Sequence, residues 1–370
     1  MDEVEKPDPK PTLKLPFKVR FQLAAHTAAM NASKLLGGTV RQQFVDFMDS
    51  KAPPSPTTPV NGVTSADFTV DKPRNLWFRL YNPSSSSSSP SHPPPQLLLP
   101  TVVFYHGGGF VYFSAHSRPF DDMCRRLALE LPAFVVSVNY RLAPLFRYPC
   151  QYHDGFDALQ FMDSPEFPRP ANMDLSRVFL SGDSAGGNLA HHVAVRAGQH
   201  EFKELKIVGM VLYMPFFGGE ERTESEKRLV NVPLINPETT DWMWRSFVPE
   251  GADRDHAAVN VFGANGADIS ALPFPSTVVF IGGFDPLQDR QRRYVEWLKG
   301  SGKDAEMIEY PSVFHGCYTF PEIKENGTMI HDFREFIKKH SDPADPSPPP
   351  ATTSTTTAAA AAADNTAVVN

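Results

Sequence analysis

The stretch "FLSGDSAGGNLAHH", residues 179–192, has one serine between two glycines at a change of pattern. An apolar run leads into Ser184 and a helical pattern leaves it, so the segment predicts a strand, a sharp turn and a helix. Gly182 and Gly186 complete a G-x-S-x-G motif, in which residues without a Cβ let the backbone pack closely around the serine. Because serine and glycine are also common in turns, the motif alone leaves an ordinary structural turn as the alternative.

Around this turn, short apolar runs alternate with helical patterns. The apolar runs, which are rich in β-branched residues, lie at 97–106, 133–140, 177–182, 207–215, 276–283 and 305–312. The helical patterns lie at 120–131, 153–163, 184–199, 289–302 and 324–339. This alternation predicts a doubly wound α/β fold, with a mostly parallel central sheet and helices on both of its faces. Ser184 is then expected at the carboxyl end of the sheet, where ligand sites lie in such folds.

Four segments do not follow this alternation. Residues 1–50 contain one or two amphipathic helical patterns and residues 217–260 are also helical in pattern, so we expect them to cover the strand ends as a lid and a cap. Residues 83–95, "PSSSSSSPSHPPP", predict a surface loop because serine and proline runs offer neither an apolar face nor enough backbone donors. Residues 341–370 lack aromatic residues and predict a disordered tail. The α/β domain is therefore expected to span residues 51–340.

Composition and charge exclude several functional classes. The chain has 370 residues, of which 41% are hydrophobic, and can bury one large core. Its net charge of −7 has no basic patch, which predicts no nucleic-acid partner and no anionic membrane surface.

The expected compartment follows from the cysteines and the N-terminus. The three cysteines lie far apart in the sequence, which argues against a disulfide framework. The N-terminus is acidic and interrupted by prolines, unlike a signal peptide, and no apolar run approaches the roughly 20 residues of a membrane span. We therefore expect a soluble protein of the cytoplasm, with the nucleus as a second compartment open to it.

A second glycine-rich stretch, "HGGGF" at 106–110, follows a predicted strand. Consecutive glycines let backbone N–H groups point into a cavity, and acyl transfer needs such donors to stabilise a developing oxyanion. Gly107 and Gly108, together with the N–H of Ala185, are the candidate donors. A phosphate-binding loop is the alternative, but the stretch lacks both the G-x-G-x-x-G spacing and the Walker lysine.

A serine hydroxyl becomes a good nucleophile when a base accepts its proton, and a histidine in this role needs a carboxylate to orient it. Asp285 in "GGFDPLQD" and His315 in "SVFHGC" each follow a predicted strand, and the chain order Ser, Asp, His is the one that such a fold requires. For Asp285 the alternative is a helix cap, with Asp289 as a weaker rival acid. For His315 the alternative is a structural loop histidine.

The remaining candidates concern packing, metals and the walls of a pocket. His191 and His192 lie in the predicted helix after Ser184 and are interpreted as packing residues. No histidines or acids have metal-ligand spacing such as H-E-x-x-H, so we expect no metal and no cofactor. The aromatic candidates for a pocket wall are Phe110, Tyr112, Phe113, Trp242, Trp244 and Tyr318.

Five motifs in order, "HGGGF", "YRLAP", "GDSAGGN", "FDPLQD" and "HGCYTF", closely resemble those of plant carboxylesterases of the hormone-sensitive-lipase group in the α/β-hydrolase superfamily. With the N-terminal "GGTVRQQFVDFMDSKAPP", the resemblance covers residues 10–340. It implies that Ser184 is the nucleophile, that Asp285 and His315 are its triad partners, and that the loop Gly107 to Gly109 is the oxyanion hole. It also implies an N-terminal lid over the acyl pocket.

The same group contains the gibberellin receptors, which resemble these esterases but have lost the catalytic histidine. Since His315 is present here, the resemblance favours the esterases. One departure follows "YRLAP", where the family usually has an acid and a histidine and this chain has Leu145 and Phe146. We expect this departure to affect local packing or pocket shape.

Together these residues predict a serine carboxylesterase that hydrolyses small carboxylic esters through an acyl-enzyme intermediate. Its expected partner is a small-molecule ester, and no protein partner can be inferred from the sequence. The second hypothesis is a non-catalytic small-molecule or hormone-binding protein on the same fold. A third is a lyase of the dehydratase kind, which would use the same base without ester cleavage.

Overall fold

The computed structural model describes residues 13–33, 38–83 and 97–341 of the chain. The strands are β1 (Ser55–Val60), β2 (Val63–Asp71), β3 (Leu76–Pro83), β4 (Leu99–Tyr105), β5 (Phe134–Asn139), β6 (Met173–Asp183), β7 (Ile207–Tyr213), β8 (Ser276–Phe284) and β9 (Ala305–Phe314). The helices are α1 (Phe17–Ser33), α2 (Gly38–Met48), α3 (Arg118–Glu130), α4 (Cys150–Met162), α5 (Ala185–Ala197), α6 (Glu224–Arg228), α7 (Pro237–Phe247), α8 (Gln288–Gly300) and α9 (Lys324–Ser341), with a short 3₁₀ helix at Cys317–Thr319.

Within the described ranges, nine strands form one sheet in the order β1-β2-β3-β5-β4-β6-β7-β8-β9. The strands from β5 to β9 pair in parallel, whereas β1, β2 and β3 are antiparallel and β3 joins β5 antiparallel. The predicted α/β fold with a mostly parallel central sheet is confirmed. Each of the six predicted apolar runs overlaps one strand from β4 to β9, and each predicted helix overlaps α3, α4, α5, α8 or α9.

None of the predicted apolar runs falls on the three N-terminal strands, β1, β2 and β3. Five of the six residues of β1 are exposed, and the strand contains Pro56 and Pro59. An exposed edge strand lacks the continuous apolar run of a central strand, and prolines at the edge suit a strand that must not pair further. In contrast, β4 is buried from Pro100 to Tyr105, because helices cover both faces of the sheet at its centre.

The parallel strands determine where the candidate site lies. Strands β6, β8 and β9 end directly before Ser184, Asp285 and His315, respectively. Since these strands are parallel and close to one another in the sheet, their carboxyl ends meet at one edge. Three residues that are far apart in the sequence are thereby brought to the same end of the molecule.

The predicted lid and cap segments contain helices. Helices α1 and α2 lie within residues 1–50, and α6 and α7 lie within residues 217–260. Val19 and Leu23 of α1 are buried in the same hydrophobic cluster as Phe120 of α3 and Phe333 of α9. Among the described helices, none is both long and apolar enough to cross a membrane.

Two other predicted segments fall largely outside the described residues. In the predicted loop at 83–95, Pro83 ends β3 and the remaining residues are not described. In the predicted tail at 341–370, Ser341 ends α9 and the remaining residues are likewise not described.

A buried ionic cluster attaches α3 to the antiparallel strands. Asp121 of α3 accepts hydrogen bonds from Arg79 (3.0 Å), Tyr81 (2.9 Å) and Arg125 (2.8 Å). Arg79 also binds Asp67, at 2.6 Å between Nε and Oδ1. Asp121, Arg79 and Arg125 are all at most 3% exposed. The cluster therefore satisfies two buried guanidinium groups and fixes the start of α3, which contributes to the wall of the candidate site.

We predict that Asp121→Ala lowers the free energy of unfolding by about 3–5 kcal/mol, because it leaves Arg125 buried without a carboxylate partner. Urea unfolding of the variant and the wild type measures this difference. The control is Glu335→Ala, which removes an exposed ion pair with Lys338 and should have no measurable effect. Equal stability of the two variants would contradict a structural role for the cluster.

Candidate active site

Ser184, His315 and Asp285 form one continuous chain of hydrogen bonds. The Nε2 atom of His315 lies 2.8 Å from the Oγ of Ser184, and its Nδ1 atom lies 2.9 Å from Oδ2 of Asp285. All three side chains are buried, and the serine is 8% exposed at the bottom of a cavity. If Nδ1 carries the ring proton, Nε2 is free to accept the proton of the serine hydroxyl.

The turn between β6 and α5 presents the serine to this histidine. Ser184 has φ 51° and ψ −115°, a strained conformation for a residue with a side chain. A Cβ at position 186 would overlap the carbonyl oxygen of Tyr105 at the end of β4. Glycine at 186 is therefore required for β4 and the turn to approach each other, and the close approach holds the serine at the sheet edge.

The glycine loop supplies backbone donors, but not all of those predicted. The N–H of Gly107 donates to Oδ1 of Asp183 at 2.7 Å. This N–H has one hydrogen, which Asp183 already accepts. The prediction that Gly107 donates directly to an oxyanion is therefore wrong. Within the described residues, no hydrogen bond is found from the N–H groups of Gly108, Gly109 or Ala185, and both glycines line the cavity beside Ser184. These three N–H groups remain as candidate oxyanion donors.

Asp183, which is not among the predicted site residues, links the glycine loop to the 3₁₀ helix that follows His315. Its buried carboxyl accepts the N–H of Gly107 and a hydrogen bond from the hydroxyl of Tyr318. Burial raises the pKa of Asp183 to about 7, while these two hydrogen bonds and the nearby His315 oppose the rise. The sequence signal for this residue is its place in the G-x-S-x-G motif, directly before Ser184.

The surroundings of Asp285 also contain a residue that the sequence does not single out. Its Oδ1 accepts the N–H of Leu287 at 2.8 Å, and its Oδ2 accepts the side-chain amide of Gln291 at 2.8 Å. Asp289, the rival acid, instead accepts the N–H of Ser225 at 2.8 Å and so attaches α6 to the first turn of α8. The structure therefore brings Asp285, and not Asp289, to the histidine.

A cavity of about 430 Å³ opens over the serine and the histidine. Its apolar walls come from the following residues: Tyr112, Phe113, Phe120, Leu234, Ile235 and Met243. Its mouth carries Lys18 and Gln22 of α1, and Lys18 forms an ion pair with Glu322 in the loop after the histidine. The volume and the mostly apolar lining are typical of a site for a small organic molecule.

The predicted aromatic wall is partly correct. Tyr112, Phe113 and Tyr318 line the cavity. Trp242 is not a lining residue; it stacks on Tyr112, which is one, with ring centroids 5.8 Å apart.

Two aromatic candidates are core residues instead. Phe110 stacks on Phe247 of α7, with ring centroids 3.9 Å apart. Trp244 stacks on Phe216 at the same spacing. Both side chains are therefore buried away from the cavity.

The other predicted residues lie away from the serine. His191 Nδ1 lies 2.9 Å from the hydroxyl of Tyr294, and His192 stacks on Tyr152. Burial lowers the pKa of His192 to about 3. Within the described ranges, no group of three or more His, Cys, Asp or Glu side chains has an arrangement that could hold a metal ion.

The residues that depart from the family pattern line a different cavity. Leu145 and Phe146 contribute to a cavity of about 660 Å³ on the other side of Tyr112 and Phe113. The guanidinium of Arg141 lies 5.1 Å from the ring centroid of Phe146. The departure therefore does not touch the cavity at Ser184.

Comparisons with known proteins agree with the observed fold. A family described as having the alpha/beta hydrolase fold matches residues 102–319. A gibberellin receptor of Arabidopsis thaliana is 39% identical over 328 residues, covering 87% of this chain and 94% of the receptor. Carboxylesterase 20 of the same plant is 39% identical over 281 residues, covering 74% of this chain and 84% of that protein. Among solved structures, an esterase from the hyperthermophilic archaeon Pyrobaculum calidifontis has a TM-score of 0.64 and 27% identity, covering 89% of this chain and 93% of the esterase.

The raised pKa of Asp183 predicts how stability depends on pH. The folded state binds the proton more tightly than the unfolded chain, so the stabilisation is complete in acid and is lost as pH rises through about 7. Asp183→Asn removes the buried charge and keeps an oxygen for the N–H of Gly107. We therefore predict that its melting temperature, relative to wild type, increases from pH 5 to pH 8.

Thermal unfolding at the two pH values checks this prediction. Asp268→Asn is the control, because hydrogen bonds from Ser270 lower the pKa of that exposed carboxyl and no gain at pH 8 is expected. A difference between Asp183→Asn and wild type that is independent of pH would contradict the assignment.

Proposed function

The chain belongs to the family with the alpha/beta hydrolase fold, and from this membership we propose that it is a serine carboxylesterase acting on small carboxylic esters. The observation that carries the proposal is the hydrogen-bond chain from Ser184 through His315 to Asp285, which opens into the 430 Å³ cavity. The similarity of the chain to a plant carboxylesterase and to an archaeal esterase supports the same activity.

In the proposed reaction, His315 Nε2 accepts the hydroxyl proton while Ser184 Oγ bonds to the ester carbonyl carbon. The carbonyl oxygen becomes an oxyanion, which the N–H groups of Gly108, Gly109 and Ala185 stabilise. The tetrahedral intermediate then expels the alcohol, which takes the proton from His315. Water, deprotonated by the same nitrogen, cleaves the acyl-enzyme to release the acid and restore the serine.

Asp285 keeps the imidazole oriented and stabilises its positive charge while it holds the proton. The carboxylate is suited to this role because it is fully buried and its two oxygens accept hydrogen bonds from fixed donors. In this proposal the segments at 1–50 and 217–260 act as a lid and a cap, because Lys18 and Gln22 of the first and Met243 of the second line the cavity. The cytoplasmic location is part of the same proposal and rests on the spacing of the cysteines.

The second candidate function is a receptor that binds a small hormone in the same cavity. The 39% identity to a gibberellin receptor favours it, and a gibberellin is then the ligand class to test. The presence of His315 in contact with Ser184 favours the esterase, because a binding protein has no need of a base at the serine.

We predict that Ser184→Ala and His315→Ala each lower kcat for a short-chain chromogenic ester by at least about 10³-fold, because the nucleophile and its base act as a unit. An organophosphate should add to Ser184, which peptide mass spectrometry can locate. Exposed residues of the same types provide the controls: Ser176→Ala and His331→Ala should retain wild-type turnover.

The possible results separate the two candidate functions. Turnover in Ser184→Ala at the wild-type rate would contradict the esterase mechanism. Tight binding of a gibberellin by a wild-type protein that cleaves no ester would favour the receptor.

The oxyanion donors provide a second prediction. Gly109 has φ +63°, and a Cβ there would overlap the thioether of Met243. Gly109→Ala should therefore displace its N–H and lower kcat by about 10²–10³-fold, which is the usual loss for one oxyanion donor. Met243→Ala in the same chain should recover part of this loss, because it removes the overlapping side chain.

Gly108→Ala is the matched comparison. Its φ is +106°, and the added Cβ would overlap the backbone carbonyl of Tyr112, which no side-chain deletion can remove. Steady-state kinetics of the two single and two double variants test the difference. If Met243→Ala restores kcat equally in the Gly108→Ala and Gly109→Ala variants, contact between Met243 and Gly109 is not the cause of the loss.

A further inference from the structure

Gln291 of α8 donates a hydrogen bond to the same carboxylate oxygen that His315 uses. Its Nε2 lies 2.8 Å from Oδ2 of Asp285, and His315 Nδ1 lies 2.9 Å from that oxygen. The side chain of Gln291 is fully buried. The contact is therefore part of the interior of the site and is shielded from competition by water.

The orientation of this amide follows from its neighbours. The second group near Nε2 is the backbone carbonyl of Pro215, at 3.4 Å. A carboxylate and a carbonyl can only accept hydrogen bonds, so the amide must direct its NH₂ group at both. The opposite orientation would bring the amide oxygen against the charge of Asp285.

The amide oxygen of Gln291 is buried and has no hydrogen-bond partner among the described residues. Leaving a buried acceptor unpaired is unfavourable. A methionine would occupy a similar volume without burying a polar oxygen. The amide group therefore does not serve packing alone, and its NH₂ group is the part that makes specific contacts.

The charge of Asp285 is balanced by neutral donors. Among the described residues, no lysine or arginine forms an ion pair with it, and its hydrogen bonds come from Leu287, Gln291 and the histidine. Leu287 holds Oδ1 and Gln291 holds Oδ2, so the two donors restrict rotation of the carboxylate about the Cβ–Cγ bond. Oδ2 is thereby kept facing Nδ1 of His315.

We propose that Gln291 is a positioning residue that fixes the Asp285 carboxylate for His315. Its effect on turnover rests on the proposed esterase function, whereas its effect on the Asp285–His315 hydrogen bond does not. The misplacement of a catalytic group by about 1 Å typically costs about a hundredfold in rate. Gln291→Met should therefore lower kcat for a short-chain ester by about ten- to a hundredfold and leave KM unchanged.

Gln151 offers a matched control. It is also fully buried, donates from its amide to the carbonyl of Phe146 at 2.6 Å, and has an amide oxygen with no hydrogen-bond partner in the described part of the chain. Gln151→Met in α4 removes the same kind of group without touching Asp285. It should retain the wild-type kcat and KM even if its stability falls.

The direct readout is the downfield proton NMR resonance of the His315 Nδ1–H, recorded in a Ser184→Ala background and assigned by its loss in His315→Ala. In Gln291→Met this resonance should move upfield and exchange faster with water, because the carboxylate is no longer held. In Gln151→Met it should be unchanged. Gln291→Asn, whose shorter amide cannot reach Oδ2, should behave like Gln291→Met and serves as the second variant if the methionine variant does not fold.

Each result has one meaning. An unchanged or further downfield resonance in the Gln291 variants overturns the positioning role, whatever the activity. A resonance that responds to Gln291→Met in a protein whose wild type cleaves no ester leaves the positioning role standing and overturns the esterase proposal. A loss of kcat in Gln151→Met as large as that in Gln291→Met would assign both losses to stability and overturn the positioning role.

Discussion

The backbone turn at Ser184 is the constraint on which the rest of the site depends. With φ 51° and ψ −115°, this residue occupies a conformation that usually costs about 1–3 kcal/mol. It persists because the neighbouring structure holds it on both sides: its N–H donates to the carbonyl of Tyr213, and its own carbonyl accepts the N–H of Phe216. The strain places the hydroxyl at the end of β6, and every other element of the site is arranged around that position.

Two buried carboxyl groups lie beside the serine and the histidine: Asp183 precedes Ser184 in the sequence, and Asp285 contacts His315. Their hydrogen-bond partners differ, and so do the structures that they hold in place. Asp183 holds the glycine loop through the N–H of Gly107, and burial keeps its pKa high, near 7. Asp285 accepts one hydrogen bond each from the N–H of Leu287, the amide of Gln291 and Nδ1 of His315. Neither carboxylate forms an ion pair with a lysine or an arginine among the described residues. Neutral donors stabilise the charge of Asp285, whereas the donors at Asp183 only partly offset the effect of burial on its pKa.

Helices α6 and α7, which lie within residues 217–260, contact both the glycine loop and the segment that follows β8. Phe247 of α7 stacks on Phe110 directly after the glycine loop, and Met243 packs over Gly109. The hydroxyl of Ser225 in α6 donates a hydrogen bond to the carbonyl of Pro286, the residue directly after Asp285. The cavity walls, the glycine loop and the segment that carries Asp285 are therefore joined by direct contacts. Relatives of this chain include proteins named as receptors and proteins named as esterases, so the fold alone does not decide between binding and turnover.

The sequence by itself determined the α/β fold and the order Ser184, Asp285, His315, because buried parallel strands need continuous apolar runs and each residue directly follows one. The sequence could not reveal β1, because five of its six residues are exposed and its apolar residues do not alternate with polar ones. Only the tertiary structure decided that the N–H of Gly107 donates to Asp183, and that the amide of Gln291 donates to Asp285. The direction of a single N–H or amide depends on contacts between residues remote in sequence, and no local pattern encodes it.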